Sequence, residues 1–498
     1  MTSNSSHPLV VIKETVDRMT VPRDSSIRQA MLAIEGGGLG AALLTDERGR
    51  FAGLLTDGDV RRALLGGTGL ESPIGSLGAP DPVVATEETP PEQLSAMFTE
   101  RIRLIPILDG ARRVVDVATF DSRSYIPVAQ PLLGERELVY VSECVLTGWI
   151  SSTGRFVTKF EEMFAEFCGV EHAVATSNGT TALHLAMLGL GIGPGDEVIM
   201  PTLSFIASAN SVVYAGGTPV FVDSEPVTWN MDPAAVEAAI TPRTKAIMAV
   251  HLYGHPADLG ALRRICDAHG LALIEDAAEA HGATFDGQRV GSFGDVSTFS
   301  FFGNKIITTG EGGMLLTRRP DVARHVRMLR DHGMSPERRY HHPILGYNYR
   351  MTNLQAAVGV AQMERIDEIL SAKRRIGREY TEELSGTPGL QLPVEVAPAQ
   401  SVYWLYSLLV DPAVSAVSRD ELMAQLRAHR IDTRPFFGPM HQQPVYDTKQ
   451  HLPVAQDASA RGISLPSHAS LSSAEVRRIS ATVRAAVTAT LAAAPDAA

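Results

Sequence analysis

The sequence predicts an α/β protein with a mostly parallel sheet covered by helices, preceded by a smaller repeated module. From about residue 126 onward, short apolar segments alternate with helical stretches, as in DEVIMP before ANSVVYAG and KAIMAV before LGALRRICDAHG. Strands that are apolar on both faces fit a parallel sheet buried between helices. Ahead of this region, a pattern of helix, strand, turn and strand occurs twice.

The overall composition limits the class of protein. A chain of 498 residues is too long for one core, so several domains are expected. The net charge of −12 disfavours nucleic acid or an anionic membrane surface as the main partner. The three cysteines form no CxxC pattern, no long apolar run predicts a membrane span, and MTSNSSHPLV does not resemble a signal peptide. We therefore expect a cytoplasmic protein and assign no metal ligands.

The chain is divided into three predicted domains. A front module covers residues 9–122, a large domain covers residues 126–354, and a small α+β domain covers residues 355–498. The stretch DSRSYIPVAQP, residues 121–131, contains two prolines and is predicted to be the linker. The small domain is predicted from the helical segment AAVGVAQMERID, the strand VYWLYSLLV, and the capping-box pairs Ser418 with Glu421 and Ser472 with Glu475.

The front module consists of two similar units, each with a hairpin turn, TDERGR in the first and LDGARR in the second. Within GLLTDGD, the first unit carries Gly53, Thr56 and Asp59. Together the units resemble a tandem CBS-domain pair, in which the hydroxyl and the carboxylate of this motif hold a ribose or a phosphate. The second unit departs from the motif, with other residues at the matching positions: Asp116, Thr119 and Ser122. The resemblance implies at most one site for an adenine-nucleotide effector, and a module that only packs subunits together is the alternative.

Three motifs of the large domain follow predicted strands, where ligands of parallel sheets bind. In SNGT, Gly179 allows a tight turn and the next helix offers free N–H groups to an anion, although a plain helix N-cap has the same pattern. In IEDAAEAHGA, Asp276 ends a buried strand and needs a partner such as a protonated ring nitrogen, unless it caps the next helix.

The third motif, TFSFFGNKIITTGEGGM, places Lys305 between an apolar strand and a loop rich in glycine and threonine. A lone lysine there is most simply a solvated loop residue. Ser300, five residues earlier, can donate to a phosphate, and the glycines of EGGM permit close backbone approach. A phosphate cup, an acid for a pyridine nitrogen and a lysine for a covalent bond are together the parts that pyridoxal 5′-phosphate (PLP) requires.

At these residues the chain resembles the DegT/DnrJ/EryC1/StrS sugar aminotransferases, PLP enzymes of fold type I. The similarity covers about residues 126 to 485 and includes SNGTTALHLA, IEDAAEAHGA, FSFFGNKIITTGEGGM and GYNYRMTNLQAA. GWISSTGRFV, FFGNKIITTGEGGM and RPFFGPMH look most like the GDP-perosamine-synthase branch, whose members aminate C4 of a GDP-linked 4-keto-6-deoxy sugar. The front module is a departure from typical relatives.

The resemblance implies the cofactor contacts one residue at a time. Lys305 carries the cofactor covalently, Asp276 pairs with the pyridine nitrogen, and the phosphate is bound by Gly179, Thr180 and Ser300. These roles belong to the resemblance, and they agree with the three motifs described above.

Further roles implied by the resemblance concern the ring, the second subunit and the substrate. Phe205 stacks on the ring, unless it is a core residue, and Glu279 lies near the 3′ oxygen of the ring. Asn348 reaches the cofactor phosphate of a neighbouring subunit, which implies an obligate homodimer. On the substrate side the resemblance suggests four residues, for which a core or surface-loop role is the alternative: Trp149, Ser151, Arg434 and His441.

The implied activity is transfer of an amino group from glutamate to a nucleotide-linked 4-keto-6-deoxy sugar. A UDP- or dTDP-linked keto-sugar, or one without a nucleotide, is the nearest alternative. A PLP-dependent sugar 3-dehydratase is disfavoured because that branch has histidine at the position of Lys305. A non-catalytic ligand-sensing protein is disfavoured by the combination of Lys305 and Asp276.

Overall fold

The structure is a computed structural model that divides the chain into two compact units, residues 1–125 and 126–498. It describes residues 10–119, with gaps at 12, 76, 78–81, 91–92, 95–96, 100–101 and 103, and residues 125–488. Ser122 and the first four residues of the predicted linker lie outside the described residues. Among the helices within these ranges, none has the length and apolar character needed to cross a membrane.

The first unit contains two small sheets with the same internal pattern. Its elements are β1 Val10–Val11, α1 Lys13–Met19, β2 Thr20–Pro22, α2 Ile27–Gly37, β3 Ala41–Thr45, β4 Phe51–Thr56, α3 Asp57–Leu65, β5 Ala85–Thr86, β6 Leu104–Leu108 and β7 Val114–Thr119. In one sheet β2 runs parallel to β3 and β3 antiparallel to β4; in the other β5 runs parallel to β6 and β6 antiparallel to β7. The two predicted hairpins are therefore present, and the internal repeat extends to the strand pairing.

The predicted nucleotide motif of the first unit forms the start of α3. Thr56 is the N-cap, and the carboxylate of Asp59 accepts hydrogen bonds from the Thr56 backbone N–H at 2.9 Å and the Thr56 hydroxyl at 2.6 Å. The other carboxylate oxygen of Asp59 pairs with Arg62 at 2.5 Å. Gly53 has a φ of +155° in β4, which disfavours other residues there. Asp59 therefore stabilises the helix N-terminus whether or not a nucleotide binds.

The second unit contains twelve α-helices and fourteen strands among the described residues. The helices are α4 Glu135–Thr147, α5 Arg155–Cys168, α6 Gly179–Gly189, α7 Ala207–Tyr214, α8 Pro233–Ala238, α9 Leu259–His269, α10 Pro320–Arg330, α11 Asn353–Met363, α12 Ile366–Leu384, α13 Arg419–Ala428, α14 Pro453–Arg461 and α15 Ser473–Thr488. The strands are β8 His172–Thr176, β9 Glu197–Pro201, β10 Thr218–Val222, β11 Thr244–Val250, β12 Ala272–Asp276, β13 Thr284–Phe285, β14 Gln288–Arg289, β15 Val296–Ser300, β16 Gly313–Thr317, β17 Leu390–Gln391, β18 Ala399–Gln400, β19 Tyr406–Val410, β20 Arg434–Pro435 and β21 Gly462–Leu465.

The main sheet has seven strands in the order β10-β9-β11-β12-β15-β16-β8, and only β16 runs against the others. Successive residues of its strands belong to different hydrophobic clusters, one on each face of the sheet. In β11, Ile247 and Ala249 pack with α5, α9 and α11, whereas Ala246 and Met248 pack with α6, α7 and α10. The sheet is therefore buried between helices on both faces, and this confirms the fold predicted from its two-sided apolar strands.

A smaller antiparallel sheet, β17-β19-β21-β20, packs against α12, α13 and α15. A further three-stranded sheet has the order β14-β13-β18. Both predicted capping boxes are present at the starts of α13 and α15. The predicted strand over residues 402–410 begins only at Tyr406, because the Trp404 carbonyl accepts from the buried Lys373 amine at 2.8 Å rather than from a neighbouring strand. The predicted domain boundary at 354/355 falls inside α11, and the division into large and small domains remains a proposal.

Candidate active site

The carboxyl ends of β8, β12 and β15 meet at one edge of the main sheet, because these three strands share a direction. A cavity of about 640 Å³ opens at this edge. It is lined by eight of the residues predicted from the sequence: Gly179, Thr180, Phe205, Asp276, Glu279, Ser300, Lys305 and Arg434. Three motifs spread over residues 177–314 are thus brought into one site.

The N-terminus of α6 and the end of β15 form an anion cup. Asn178 is the N-cap and accepts from the Thr181 backbone N–H at 2.9 Å, whereas the N–H groups of Gly179 and Thr180 have no partner within the helix. The Ser300 hydroxyl is directly opposite. A Cβ on Gly179 would lie 2.8 Å from the Ser300 Cβ, so glycine is needed for this close approach. Free N–H groups and a hydroxyl at a helix N-terminus suit a phosphate.

Replacing Gly179 with alanine is expected to weaken cofactor binding about ten- to a hundredfold. The added methyl group must separate α6 from β15, and overpacking of this kind costs about 1–3 kcal/mol, at about 1.4 kcal/mol per decade. The measurement is a titration of the cofactor-free protein with PLP. Gly193→Ala is the matched control, because a Cβ there meets nothing within 4 Å. Equal affinity in both variants would contradict the proposed cup.

Asp276 ends β12 at the base of the cavity and is 5% exposed. Its carboxylate accepts from the Ser208 hydroxyl at 2.7 Å and from the Ala278 backbone N–H at 3.2 Å. Burial raises the pKa of Asp276, and these two hydrogen bonds partly oppose the shift. A buried carboxylate of this kind gains most from a cationic partner in the cavity, such as a protonated pyridine nitrogen.

Lys305 lies in the loop that joins β15 to β16, and its amine faces the cavity. The loop is fixed at its base, since the Phe301 N–H donates to Gly312 O at 2.8 Å and the Thr309 N–H donates to Phe301 O at 2.9 Å. The Nζ atom of Lys305 lies 3.9 Å from the centroid of the Trp404 ring. Burial lowers the pKa of the Lys305 amine, which favours the neutral form that a nucleophilic lysine needs.

Glu279 is the second buried acid of the cavity, with one oxygen 3.6 Å from the Nζ atom of Lys305 and the other accepting from the Tyr253 backbone N–H at 2.9 Å. Burial raises the pKa of Glu279 to about 7, although the nearby Lys305 cation opposes the shift. Glu279 can therefore carry a proton near neutral pH, in contact with the lysine.

The stability of the cofactor-free protein is expected to fall as the pH rises from 5 to 7, because the pKa of Glu279 is raised in the folded chain. The folded chain holds this proton up to about pH 7, whereas a glutamate of ordinary pKa, as in the unfolded chain, releases it near pH 4.5. The contribution is complete at low pH and is lost as the pH rises through the folded pKa. Urea unfolding from about pH 5 to pH 8 should show a shallower fall for Glu279→Gln than for the wild type. Glu237→Gln, at an exposed position, should follow the wild type.

Four other predicted residues are described by the structure but do not line the cavity of their own chain. Asn348 is exposed and forms an isolated antiparallel β-bridge with Asp331 through the backbone. Trp149 is 59% exposed. Ser151 is exposed, and its carbonyl accepts from the Asn353 N–H at 2.7 Å. His441 is buried, with its Nδ1 atom 2.7 Å from the Thr202 hydroxyl. The geometry of one chain gives these residues no contact with Lys305.

Several cavity residues were not predicted from the sequence. Trp404 was assigned to a strand, yet its ring covers the Lys305 amine and its Nε1–H donates to Asn304 O at 2.7 Å. Phe437 packs on Phe205 with ring centroids 6.0 Å apart, and both line the cavity. Ser208, the donor to Asp276, lies in α7 without any motif. The segment RPFFG, which begins with Arg434, is the one sequence feature that could have indicated Phe437 as a cavity residue.

The donor set of the cavity fits PLP. The anion cup can hold a phosphate, Asp276 offers a buried carboxylate for a ring nitrogen, and Lys305 offers an amine of lowered pKa. Phe205 is 56% exposed and therefore does not belong to the hydrophobic core; its ring faces the cavity, where an aromatic cofactor could stack.

Comparison with protein families gives two matches. The model of the DegT/DnrJ/EryC1/StrS aminotransferase family matches residues 131–484, and the CBS-domain model matches residues 10–66. The second match covers the first of the two front units.

Curated proteins and solved structures are similar to the larger part of the chain. GDP-perosamine synthase of Caulobacter vibrioides is 51% identical over 357 residues, 71% of this chain and 96% of the relative; that of Escherichia coli O157:H7 is 48% identical over 353 residues, with the same coverage. The aminotransferase TlmJ of Streptoalloteichus hindustanus superposes with a TM-score of 0.70 at 35% identity, covering 74% of this chain and all of TlmJ. Spr1654 of Streptococcus pneumoniae, solved in its PLP form, gives 0.69 at 28% identity over 73% of this chain and 99% of its own.

Proposed function

Since the chain belongs to the DegT/DnrJ/EryC1/StrS aminotransferase family, we propose that it transfers the amino group of glutamate to a GDP-linked 4-keto-6-deoxy sugar. The protein is a PLP-dependent sugar aminotransferase. The observation that carries the proposed chemistry is the convergence of Lys305, Asp276 and the anion cup in one cavity. The choice of a GDP-linked substrate is supported by the curated relatives named GDP-perosamine synthase.

The cofactor would be held by residues at or after the ends of four strands, β8, β9, β12 and β15. Gly179, Thr180 and Ser300 bind the phosphate, Asp276 pairs with the pyridine nitrogen, and Phe205 covers one face of the ring. When bound, PLP supplies an electron-poor ring that accepts the electron pair released as a proton leaves the carbon next to the amine. Asp276 keeps the ring nitrogen protonated, and Ser208 orients the Asp276 carboxylate through the 2.7 Å hydrogen bond.

Lys305 acts first as the covalent anchor and then as the base and acid that moves a proton on its Nζ atom. Its surroundings suit both roles. Burial lowers the pKa of the amine, whereas Glu279 and the Trp404 ring stabilise the ammonium form when the proton has been taken up. Glu279 lies near enough to exchange that proton with Lys305. Phe437 and Trp404 help to exclude water from the amine.

A panel of keto-sugar nucleotides tests the substrate. The holoenzyme is incubated with glutamate and with GDP-, UDP- and dTDP-linked keto-sugars, and the product is followed by the mass change of amination. The proposal expects the GDP-linked 4-keto-6-deoxy sugar to react with the highest kcat/KM. A higher kcat/KM for a UDP- or dTDP-linked sugar would leave the aminotransferase activity intact but would show that the proposed GDP-linked substrate is wrong.

We further propose that the protein is a cytoplasmic homodimer in which Asn348 reaches the cofactor phosphate of the other copy. Asn348 is exposed and lies outside the cavity of its own chain, as a residue acting on a second copy must. An unusual number of exposed apolar residues supports a buried interface at α4 and its flanks: Leu133, Leu138, Val139, Val145, Leu146, Trp149 and Ile150. Light scattering of the purified protein, with sedimentation as a second measurement, tests the dimer.

For the front module we propose a regulatory adenine-nucleotide site at Gly53, Thr56 and Asp59. Calorimetry on the full chain with adenine nucleotides is the test, because a guanine nucleotide would also bind the proposed substrate site. Loss of a charge-assisted hydrogen bond of about 1.5–3 kcal/mol should weaken binding about ten- to a hundredfold in Asp59→Ala. Asp59→Asn keeps a side-chain oxygen that can accept the capping hydrogen bonds but removes the charge, so it separates loss of the charge from loss of helix capping. If the wild type binds no adenine nucleotide, the module is better understood as an assembly element.

A further inference from the structure

Residues 334–343 form an irregular loop without strands, here called the basic hairpin, in the segment that leads to Asn348. Arg338, Arg339, His341 and His342 are all exposed in this basic hairpin. Its one acidic residue, Glu337, is paired with Arg324 of α10. Within the part of the chain that the structure describes, neither Arg338 nor Arg339 makes an ion pair. The basic hairpin therefore presents two guanidinium groups whose charge is not neutralised.

The basic hairpin is held in a defined position relative to Asn348. The His332 N–H donates to Tyr347 O at 2.8 Å, and the Tyr347 N–H donates to Leu329 O at 2.7 Å. Nearer the tip, the Ser335 N–H donates to His341 O at 2.8 Å. The basic hairpin is therefore tied by backbone hydrogen bonds to the segment that carries Asn348.

The cavity of a single chain is poorly suited to a diphosphate. Its described lining contains three acids, Asp276, Glu279 and Glu311, against two cations, Lys305 and Arg434. Lys305 is engaged by the cofactor, so Arg434 alone is left for a group that carries two negative charges. Phosphates are bound most favourably by arginine forks. The site for a nucleoside diphosphate is thus incomplete within one chain.

We propose that Arg338 and Arg339 from the second copy of the chain bind the diphosphate of the nucleotide sugar at this cavity. The proposal rests on the proposed function, in that it assumes a nucleoside-diphosphate sugar and a dimer in which Asn348 acts on the other copy. Arg434 would contact the same substrate from the chain that carries Lys305. In each complete site, Lys305 and Arg434 would then come from one copy, and the two arginines of the basic hairpin would come from the other.

The first test is binding of GDP to the holoenzyme and to the double variant Arg338→Ala/Arg339→Ala. The dissociation constant is expected to rise at least about tenfold, equivalent to about 1.4 kcal/mol, and its dependence on salt should weaken. Arg427→Ala, at an exposed position of α13, is the matched control for a lost surface charge. Unchanged melting temperature and dimer mass show that the variant is intact.

The outcomes of this test separate the two proposals. If the wild type binds GDP and the double variant binds it equally well, the proposal for the basic hairpin is wrong and the proposed function stands. If the wild type binds neither GDP nor any other nucleoside diphosphate, the proposed substrate class itself fails.

Mixed dimers decide which copy supplies the arginines. Refolding Lys305→Ala chains with Arg338→Ala/Arg339→Ala chains should give dimers with one complete site and the wild-type KM for the nucleotide sugar. Lys305→Ala mixed with Arg434→Ala is the matched control, because Arg434 and Lys305 line the same cavity and no complete site can form. A raised KM in the first mixture, in dimers shown to have formed, would mean that the hairpin acts within its own chain and would overturn the proposal.

Discussion

Replacing Lys305 with alanine is expected to abolish transamination while leaving the fold intact. The residue is the only lysine among the described residues that line the cavity, and the proposed covalent attachment and proton transfer both require its amine. General acid–base catalysis alone contributes about 10²–10⁴-fold to a rate, so a loss of at least this size is expected. The measurement is turnover with glutamate and a keto-sugar nucleotide. Borohydride reduction followed by peptide mass analysis should label Lys305 in the wild type and no lysine in the variant.

The control for this prediction is Lys245→Ala, which removes an exposed lysine of β11. It should keep both turnover and the borohydride label. Labelling of another lysine in the Lys305→Ala protein, together with persistent turnover, would show that the assignment is wrong. The melting temperature of both variants establishes that a loss of activity is not a loss of fold.

Replacing Asp276 with asparagine should be the second most damaging change. The amide keeps the shape and can still accept from the Ser208 hydroxyl, but it removes the negative charge opposite the ring nitrogen. Leaving one partner of a buried ion pair uncompensated costs about 3–5 kcal/mol, so at about 1.4 kcal/mol per decade the rate should fall about 10²–10⁴-fold. A single turnover with glutamate, followed by absorbance of the bound cofactor, measures this step without the sugar.

Asp267→Asn is the control for the Asp276 variant, since it alters an exposed carboxylate of α9. Lys305 remains intact in both proteins, so covalent attachment of the cofactor should persist in both. A half-reaction within about threefold of the wild type in Asp276→Asn would contradict the charge role and leave Asp276 as a structural residue.

Much of this architecture could be predicted because local pattern and long-range packing agree. The two-sided apolar strands specify burial on both faces, and the helices between them specify a parallel sheet. SNGT, IEDAA and FFGNK then follow strands whose carboxyl ends lie at the same edge. The capping boxes at Ser418 and Ser472 are local interactions within four residues, and the structure contains both.

Other features depended on contacts that no local pattern contains. The apolar and aromatic segment VYWLYSLLV predicts a strand that includes Trp404, yet hydrogen bonds with Lys373 and Asn304 hold Trp404 outside the sheet, over Lys305. The lowered pKa of Lys305 and the raised pKa of Glu279 come from burial, which a sequence does not state.

The sequence by itself was enough to predict the fold class and the family, and both predictions are confirmed; it also predicted Lys305, Asp276 and the SNGT motif as site residues. The fold class follows from the periodicity of apolar residues, whereas the family and the roles of these residues were implied by the resemblance of the motifs to a known family. Only the tertiary structure decided that Glu279 and Trp404 flank the Lys305 amine, and that Asn348 and the basic hairpin lie outside the cavity of their own chain. The physical reason is that these features depend on how distant segments of the chain pack together. Packing decides which residues lie close across the sheet, which groups are shielded from water and which charges have no partner, and a short stretch of sequence contains none of this information.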